Sequence, residues 1–287
     1  MTAGRAPSAG RILVLGQGAR AACAVALLQQ AAADVRLEQA PSPEALTRHA
    51  ATPPALLVLV DPLPFAAGLP EGPIPADFLR SDAMRAVFAL ELARRIGRTM
   101  VLDGDAAGWP GALAAAGLPV DTAAPLPAPL PAPAAVLPDG SDPLQQPYLL
   151  PVWRAAAAGR APPVAWPREA FLDGDVPGET LPALIEVAGR ARIVAYGPYL
   201  PLPAGTWKAT AWLGFSPDIG RLPFILEIDS GGGVARGFFE AERGGIFSLD
   251  LDFQVADPLH PLELRLITQD SALEGQAALI EVGLAPG

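Results

Sequence analysis

The sequence predicts two domains of different class, a parallel α/β domain and, after it, an antiparallel β-sandwich. Three observations carry this. Short all-apolar runs alternate with Ala-rich helical segments over residues 1–121, a proline-alternating stretch fills 122–147, and strict period-two patterning dominates 148–287.

The first domain reads element by element. "RILVLG" (Arg11–Gly16) is a short apolar strand ending in glycine, and "ARAACAVALLQQAAA" (Ala19–Ala33) is rich in the best helix former. "DVRLE" (Asp34–Glu38) gives a second strand. "SPEALTRHA" gives a short helix, with Ser42 as N-cap and Pro43 at the first helical position. "ALLVLVD" (Ala55–Asp61) is apolar throughout, as strands buried on both faces are. A helix over Phe78–Ile96, a strand in "TMVLDGD" (Thr99–Asp105) and a short helix in "WPGALAAAG" complete the βα alternation of a helix-covered parallel sheet.

In "TAAPLPAPLPAPAAVLPDG" (Thr122–Gly140) alternating prolines forbid helix and central strand and favour polyproline II, the pattern of a semi-stiff interdomain spacer. Beyond it "IFSLDLDFQV" puts Phe247, Leu249, Leu251, Phe253 and Val255 on one face and Ser248, Asp250, Asp252 and Gln254 on the other. "PLELRLIT", "LPFILEID", "VARGFFEA" and "AALIEVGL" add strands, parted by the turn signals "SGGG", "ERGG" and "LEGQ". About seven to nine strands, each with one apolar face, suit two packed sheets.

Composition excludes several classes. A formal net charge of -10, with no stripe of arginines, argues against nucleic-acid or anionic-membrane binding. Apolar runs are interrupted by charges and helix breakers, so no membrane span is expected. Cys23 is the single cysteine, which rules out an internal disulfide, and the first residues lack a signal-peptide pattern. These features lead to the expectation of a cytoplasmic protein.

Chemistry-bearing motifs are few. "GQGARA" (Gly16–Ala21) follows a strand, opens a helix and matches the Gly-x-Gly-x-x-Gly/Ala dinucleotide pattern of a Rossmann-like domain. Gly16 would allow the tight turn and Gly18 the approach of a pyrophosphate, with Ala21 closing the cofactor-binding pattern. Glu38, about twenty residues on, would bind a ribose hydroxyl. NAD or a nucleotide-sugar is the cofactor under this reading; an ordinary glycine turn is its structural rival. The only histidines are His49, beside predicted helix-end carbonyls, and His260, in "DPLHPLE". No Gly-x-Ser-x-Gly elbow and no zinc spacing occur, so no catalytic residue and no metal ligand is assigned. The "DGD" pairs at Asp103–Asp105 and Asp173–Asp175 read as solvated turns.

"YGPYLPLPAGTWKATAWLGF" (Tyr196–Phe215) is the most informative stretch. A Pro-Ala-Gly turn sets up a strand with Trp207, Ala209, Ala211 and Leu213 facing a core. Lys208, Thr210 and Trp212 then face outward. An outward indole suits the apolar face of a sugar ring, with neighbouring polar groups bonding its hydroxyls. Packing of Trp212 under a loop or another domain is the plainer alternative.

Two resemblances follow from these residues. The stretch "VRLEQAPSPEALTRHAATPPALLVLVDPLP" looks like the middle of a response-regulator receiver, with Asp61 where a phosphoacceptor would sit. "RILVLGQG" lacks the acidic pair that would hold Mg²⁺, so the resemblance is one of topology. From Arg190 to Leu284, "GPYLPLPAGTWKATAWLGF" and the closing "GQAALIEVGL" resemble the jelly-roll or galactose-binding-like accessory sandwiches of bacterial polysaccharide and glycosyltransferase proteins. That resemblance implies a jelly-roll-like fold and a non-catalytic, carbohydrate-associated role in glycan assembly, with a glycan or a protein as partner. The alternatives are a nucleotide-dependent transferase or oxidoreductase using the first domain, and a purely structural assembly protein.

Overall fold

The structure is a computed structural model and describes residues 10–16, 18–30, 34–39, 42–60, 76–96, 98–102, 105–118, 120–121 and 148–287. The proline-alternating stretch, Asp61 and Asp103 lie outside the described residues. The chain forms two compact units.

The first unit is a parallel sheet of β1 (Ile12–Leu15), β2 (Val35–Glu38), β3 (Leu56–Val60) and β4 (Thr99–Leu102), in the order β2-β1-β3-β4. The helices are α1 (Gly18–Leu28), α2 (Pro43–Ala51), α3 (Ala76–Ile96) and α4 (Trp109–Ala115). Every residue of β1 and β3 is buried, which is why both strands read as unbroken apolar runs. Ile12, Val14, Leu56, Val58 and Val60 share a core with Ala24, Leu27 and Leu28 of α1 and with Trp109 and Leu113 of α4. The alternate row, Leu13, Leu15, Leu57 and Leu59, is equally buried, so both sheet faces are covered. In this order β1 neighbours both β2 and β3, the arrangement of receiver- and flavodoxin-type sheets. α2 starts as the sequence dictates, with Ser42 Oγ accepting from the Ala45 amide at 3.1 Å. α1 stops at Leu28, short of the expected Ala33.

The second unit contains α5 (Leu150–Ala158) up to Val152, the Ala76–Val87 part of α3, and the strands β5 (Val164–Pro167), β6 (Leu172–Asp173), β7 (Ile185–Glu186), β8 (Ile193–Leu200), β9 (Gly205–Phe215), β10 (Pro223–Asp229), β11 (Val234–Glu240), β12 (Gly245–Val255), β13 (Leu262–Thr268) and β14 (Gln276–Pro286). One sheet runs β11-β10-β13-β8-β6. The other runs β12-β9-β14-β5, with β7 pairing the start of β14, and all these pairs are antiparallel. Successive strands change sheets at every step from β5 to β14 except β10/β11, a jelly-roll-like path. The inward rows meet face to face: Phe215 of the β9 sheet lies 5.2 Å from Phe224 and 6.2 Å from Phe239 of the β13 sheet, by ring centroids. This is the sandwich that period-two patterning predicts. One element departs from expectation. Period two does not begin at Tyr148, because α5 precedes the first strand; its "WRAAAA" has helix propensity and no alternation. Tyr148, fully buried, anchors the start of α5 by donating its hydroxyl to the Pro201 carbonyl.

Candidate functional site

The turn before β9 is built for the core. Gly205 takes φ 139°, and the buried Trp207 indole donates to the Pro203 carbonyl at 2.8 Å. From there strict alternation buries Trp207, Ala209, Ala211, Leu213 and Phe215, and turns Lys208, Thr210 and Trp212 to the outer face. Trp212 is 44% exposed.

Its surroundings fall into two halves. Trp212 stands between Ser248 of β12 and Glu281 of β14. The register slips between Leu279 and Glu281, so Ile280 is an extra residue that also reaches the surface, 43% exposed. One step along, Gly214 and Ala278 leave low ground between Trp212 and the exposed Ile246. The other half is polar. Asp250 accepts from Thr210 Oγ1 at 2.7 Å and from Lys208 Nζ at 3.2 Å, bonds that hold its carboxyl below the usual range. Asp252 faces Lys208, and Thr206 donates to Gln254 at 2.9 Å. All three sandwich residues singled out by the sequence therefore share one face. Asp250, Ser248 and Ile280, which sequence reasoning left unassigned, complete it. Cross-strand register supplies the first two, and the bulge that supplies Ile280 has no signal in "AALIEVGL".

At Ser248 the face adjoins a pocket of about 420 Å³ on the β11–β12 edge, walled by Leu213, Phe215, Phe239, Phe247 and Leu249 and rimmed by Glu240, Glu242 and Arg243. The alternation places these phenylalanines inward, but only the structure shows that two adjacent edge strands leave their seam open.

The first unit's motif is placed differently. Gly16 is buried, and a Cβ on it would lie 3.0 Å from Val60 Cβ and 3.1 Å from Ala21 Cβ, so Gly16 and Ala21 let α1 close on the sheet. Gly18 opens α1. Glu38 Oε2 is engaged by Arg48 Nη2 at 2.8 Å and by His49 Nε2 at 3.0 Å. The buried His49 also meets Arg11 Nη2 at 3.3 Å through Nδ1. His49 thus meets Glu38 and Arg11, where the sequence suggested helix-end carbonyls. Arg20 lies 4.7 Å over the Trp109 ring, a cation–π contact. Cys23 is buried, and burial pushes its thiol up, consistent with a small core residue.

The second "DGD" is more than a solvated turn. Arg192 grips Asp175 through Nε at 2.7 Å and Nη2 at 2.9 Å, and also donates to the Glu186 and Ala188 carbonyls at 2.8 and 3.2 Å. Among the described residues no three His, Cys, Asp or Glu side chains group as a metal site, and no helix is long and apolar enough to cross a membrane.

No family model matches this chain, and no curated protein matches it by sequence. Solved structures similar to it are β-sandwiches, carbohydrate-binding modules prominent among them. A CBM61 module in complex with β-1,4-galactotriose is 10% identical, with TM-score 0.29, over 44% of this chain and 89% of that one. A family 16 carbohydrate-binding module is 15% identical, TM-score 0.26, over 42% and 85%. The K1 adhesin domain of Lys-gingipain from Porphyromonas gingivalis W83 is 11% identical, TM-score 0.31, over 44% and 99%. These are likenesses of sandwich to sandwich and decide nothing about a ligand.

Proposed function

We propose that the sandwich binds a neutral glycan chain on the outer face of the β9 sheet, and that the protein is a non-catalytic accessory in glycan assembly. The observation behind this reading is Trp212, a half-exposed indole on a sheet face beside Asp250, Lys208 and Thr210, whose polar groups are already fixed by one another. A saccharide ring stacks on an indole while fixed donors and acceptors bond its hydroxyls. Fixing those side chains beforehand lowers the entropy cost of binding. The test is affinity electrophoresis through gels containing β-1,4-galactan, β-1,4-xylan or β-1,4-glucan. Retardation in at least one gel, weakened ten-fold or more by Trp212→Ala at unchanged melting temperature, is the expected result. Equal retardation of the variant removes this site. The exposed trio Trp212, Ile246 and Ile280 also favours a second reading, a protein interface, which predicts a concentration-dependent oligomer that Trp212→Ala dissolves.

A further inference from the structure

The outer face of the β13 sheet carries a second set of aromatic and polar side chains. Tyr196 of β8 lies opposite Arg265 of β13, which lies opposite Glu227 of β10, which lies opposite Arg236 of β11. Along this row Glu227 accepts from Arg236 Nε at 2.6 Å and from Arg265 Nη1 at 2.7 Å. Arg265 also donates to Glu263, and Glu263 accepts from the Tyr199 hydroxyl at 2.8 Å. Burial, with the Glu263 bond adding to it, pushes that hydroxyl up to about 12.

Tyr199 has an unusual backbone. Glu263 pairs with Pro198 and Leu262 with Leu200, so Tyr199 is the extra residue of a bulge, and its φ is 62°. Glycine ordinarily fills that left-handed region, which a bulky side chain enters only when its surroundings demand it. The bulge sets the Tyr199 ring edge-on to Tyr196, with centroids 6.2 Å apart. Bulges that re-aim a side chain and backbone outliers of this kind gather at functional sites.

We infer that this face is a second saccharide-binding surface, formed by Tyr196, Tyr199, Glu263, Arg265 and Arg236, and that the sandwich is bivalent, with one glycan site on each outer face. Glu227 and Glu263 engage both guanidinium groups, and Asp229 lies opposite Glu263, so the row offers hydrogen bonds and aromatic surface with no excess of positive charge. That combination suits a neutral polyhydroxyl ligand better than an anionic one. The ligand class rests on the glycan reading above, whereas the geometry of this face does not. Two sites on one rigid body hold a polymeric glycan far more tightly than either alone.

The test uses the full chain with β-1,4-galactan, β-1,4-xylan and β-1,4-glucan as probes, in affinity gels and in a turbidity assay for cross-linking of the soluble polymer. Tyr196→Ala is the main variant; Glu263→Gln, which preserves size, guards against a folding defect, and melting temperatures are matched. Bivalency predicts cross-linking by the unaltered protein. It also predicts loss of cross-linking with ten-fold weaker retardation in Tyr196→Ala, Glu263→Gln or Trp212→Ala, and no retardation when both faces are changed. Retardation sensitive to Trp212→Ala alone overturns the second face and leaves the first reading standing. Retardation sensitive to the β13-sheet variants alone overturns bivalency and the Trp212 reading together. An oligomer lost in Tyr196→Ala would make this face a protein interface and overturn the proposal.

Discussion

Arg192 shows how much one side chain can hold. Its guanidinium closes on the Asp175 carboxylate and on carbonyls of the 186–190 segment, and those bonds keep the Asp175 carboxyl low and raise Arg192. Asp175 is about half exposed, so solvent screening reduces the value of the pair. Arg192→Met is expected to cost about 1–3 kcal/mol in urea unfolding, the range for hydrogen bonds to charged groups after that discount. Gly174 beside it admits no side chain, since a Cβ would come 2.1 Å from the Ile193 carbonyl oxygen. Gly174→Ala therefore has to shift backbone and should destabilise more than the same change at Gly233, where a Cβ meets nothing within 4 Å, compared by denaturation midpoint. None of this was legible in "DGD", a string that reads as a solvated turn and gives no sign of a distant arginine. Trp212 was legible, because alternation fixes its face once Trp207 is in the core. Asp250, the partner of Thr210, was not, because cross-strand register joins residues forty positions apart.

Elements were legible in proportion to their periodicity. The all-apolar β1 and β3 and the alternating β12 and β13 stand where the sequence puts them. α5 was missed because a short Ala-rich segment between prolines has neither period, and burial of Tyr148 decides its place. The bulges at Tyr199 and at Ile280 were hidden because an inserted residue leaves the apolar pattern on each side intact. At the head of α1, a glycine pattern that reads as a phosphate turn serves helix–strand packing as well. Gly16→Val would push into Val60 and Ala21, with an overpacking cost of about 1–3 kcal/mol. Equilibrium unfolding without any nucleotide checks this. An unchanged midpoint would mean that Gly16 is not needed for packing.

For the whole molecule, acid sensitivity follows from the same ion pairs. Burial alone would raise Glu227, but the bonds from Arg236 and Arg265 outweigh it and leave the carboxyl below its ordinary value. A carboxyl lowered on folding adds stability that is present above its unfolded value, about 4.3, and lost as pH falls through its folded value. The sandwich should therefore lose denaturation midpoint as pH drops below about 4.3, and Glu227→Gln should flatten that dependence. A profile identical to the unaltered protein's would show that the arginine row contributes nothing to acid stability. The same row forms part of the second binding surface, so fold stability and that surface depend on shared residues.

The central claim is that an exposed indole on the β9 sheet holds a neutral glycan, and comparing the full chain with Trp212→Ala in polysaccharide-containing native gels tests it most directly. The account predicts retardation of the unaltered chain by at least one neutral polysaccharide and at least ten-fold weaker retardation of the variant, with the same melting temperature. Retardation untouched by the substitution, or none in any gel, would contradict it.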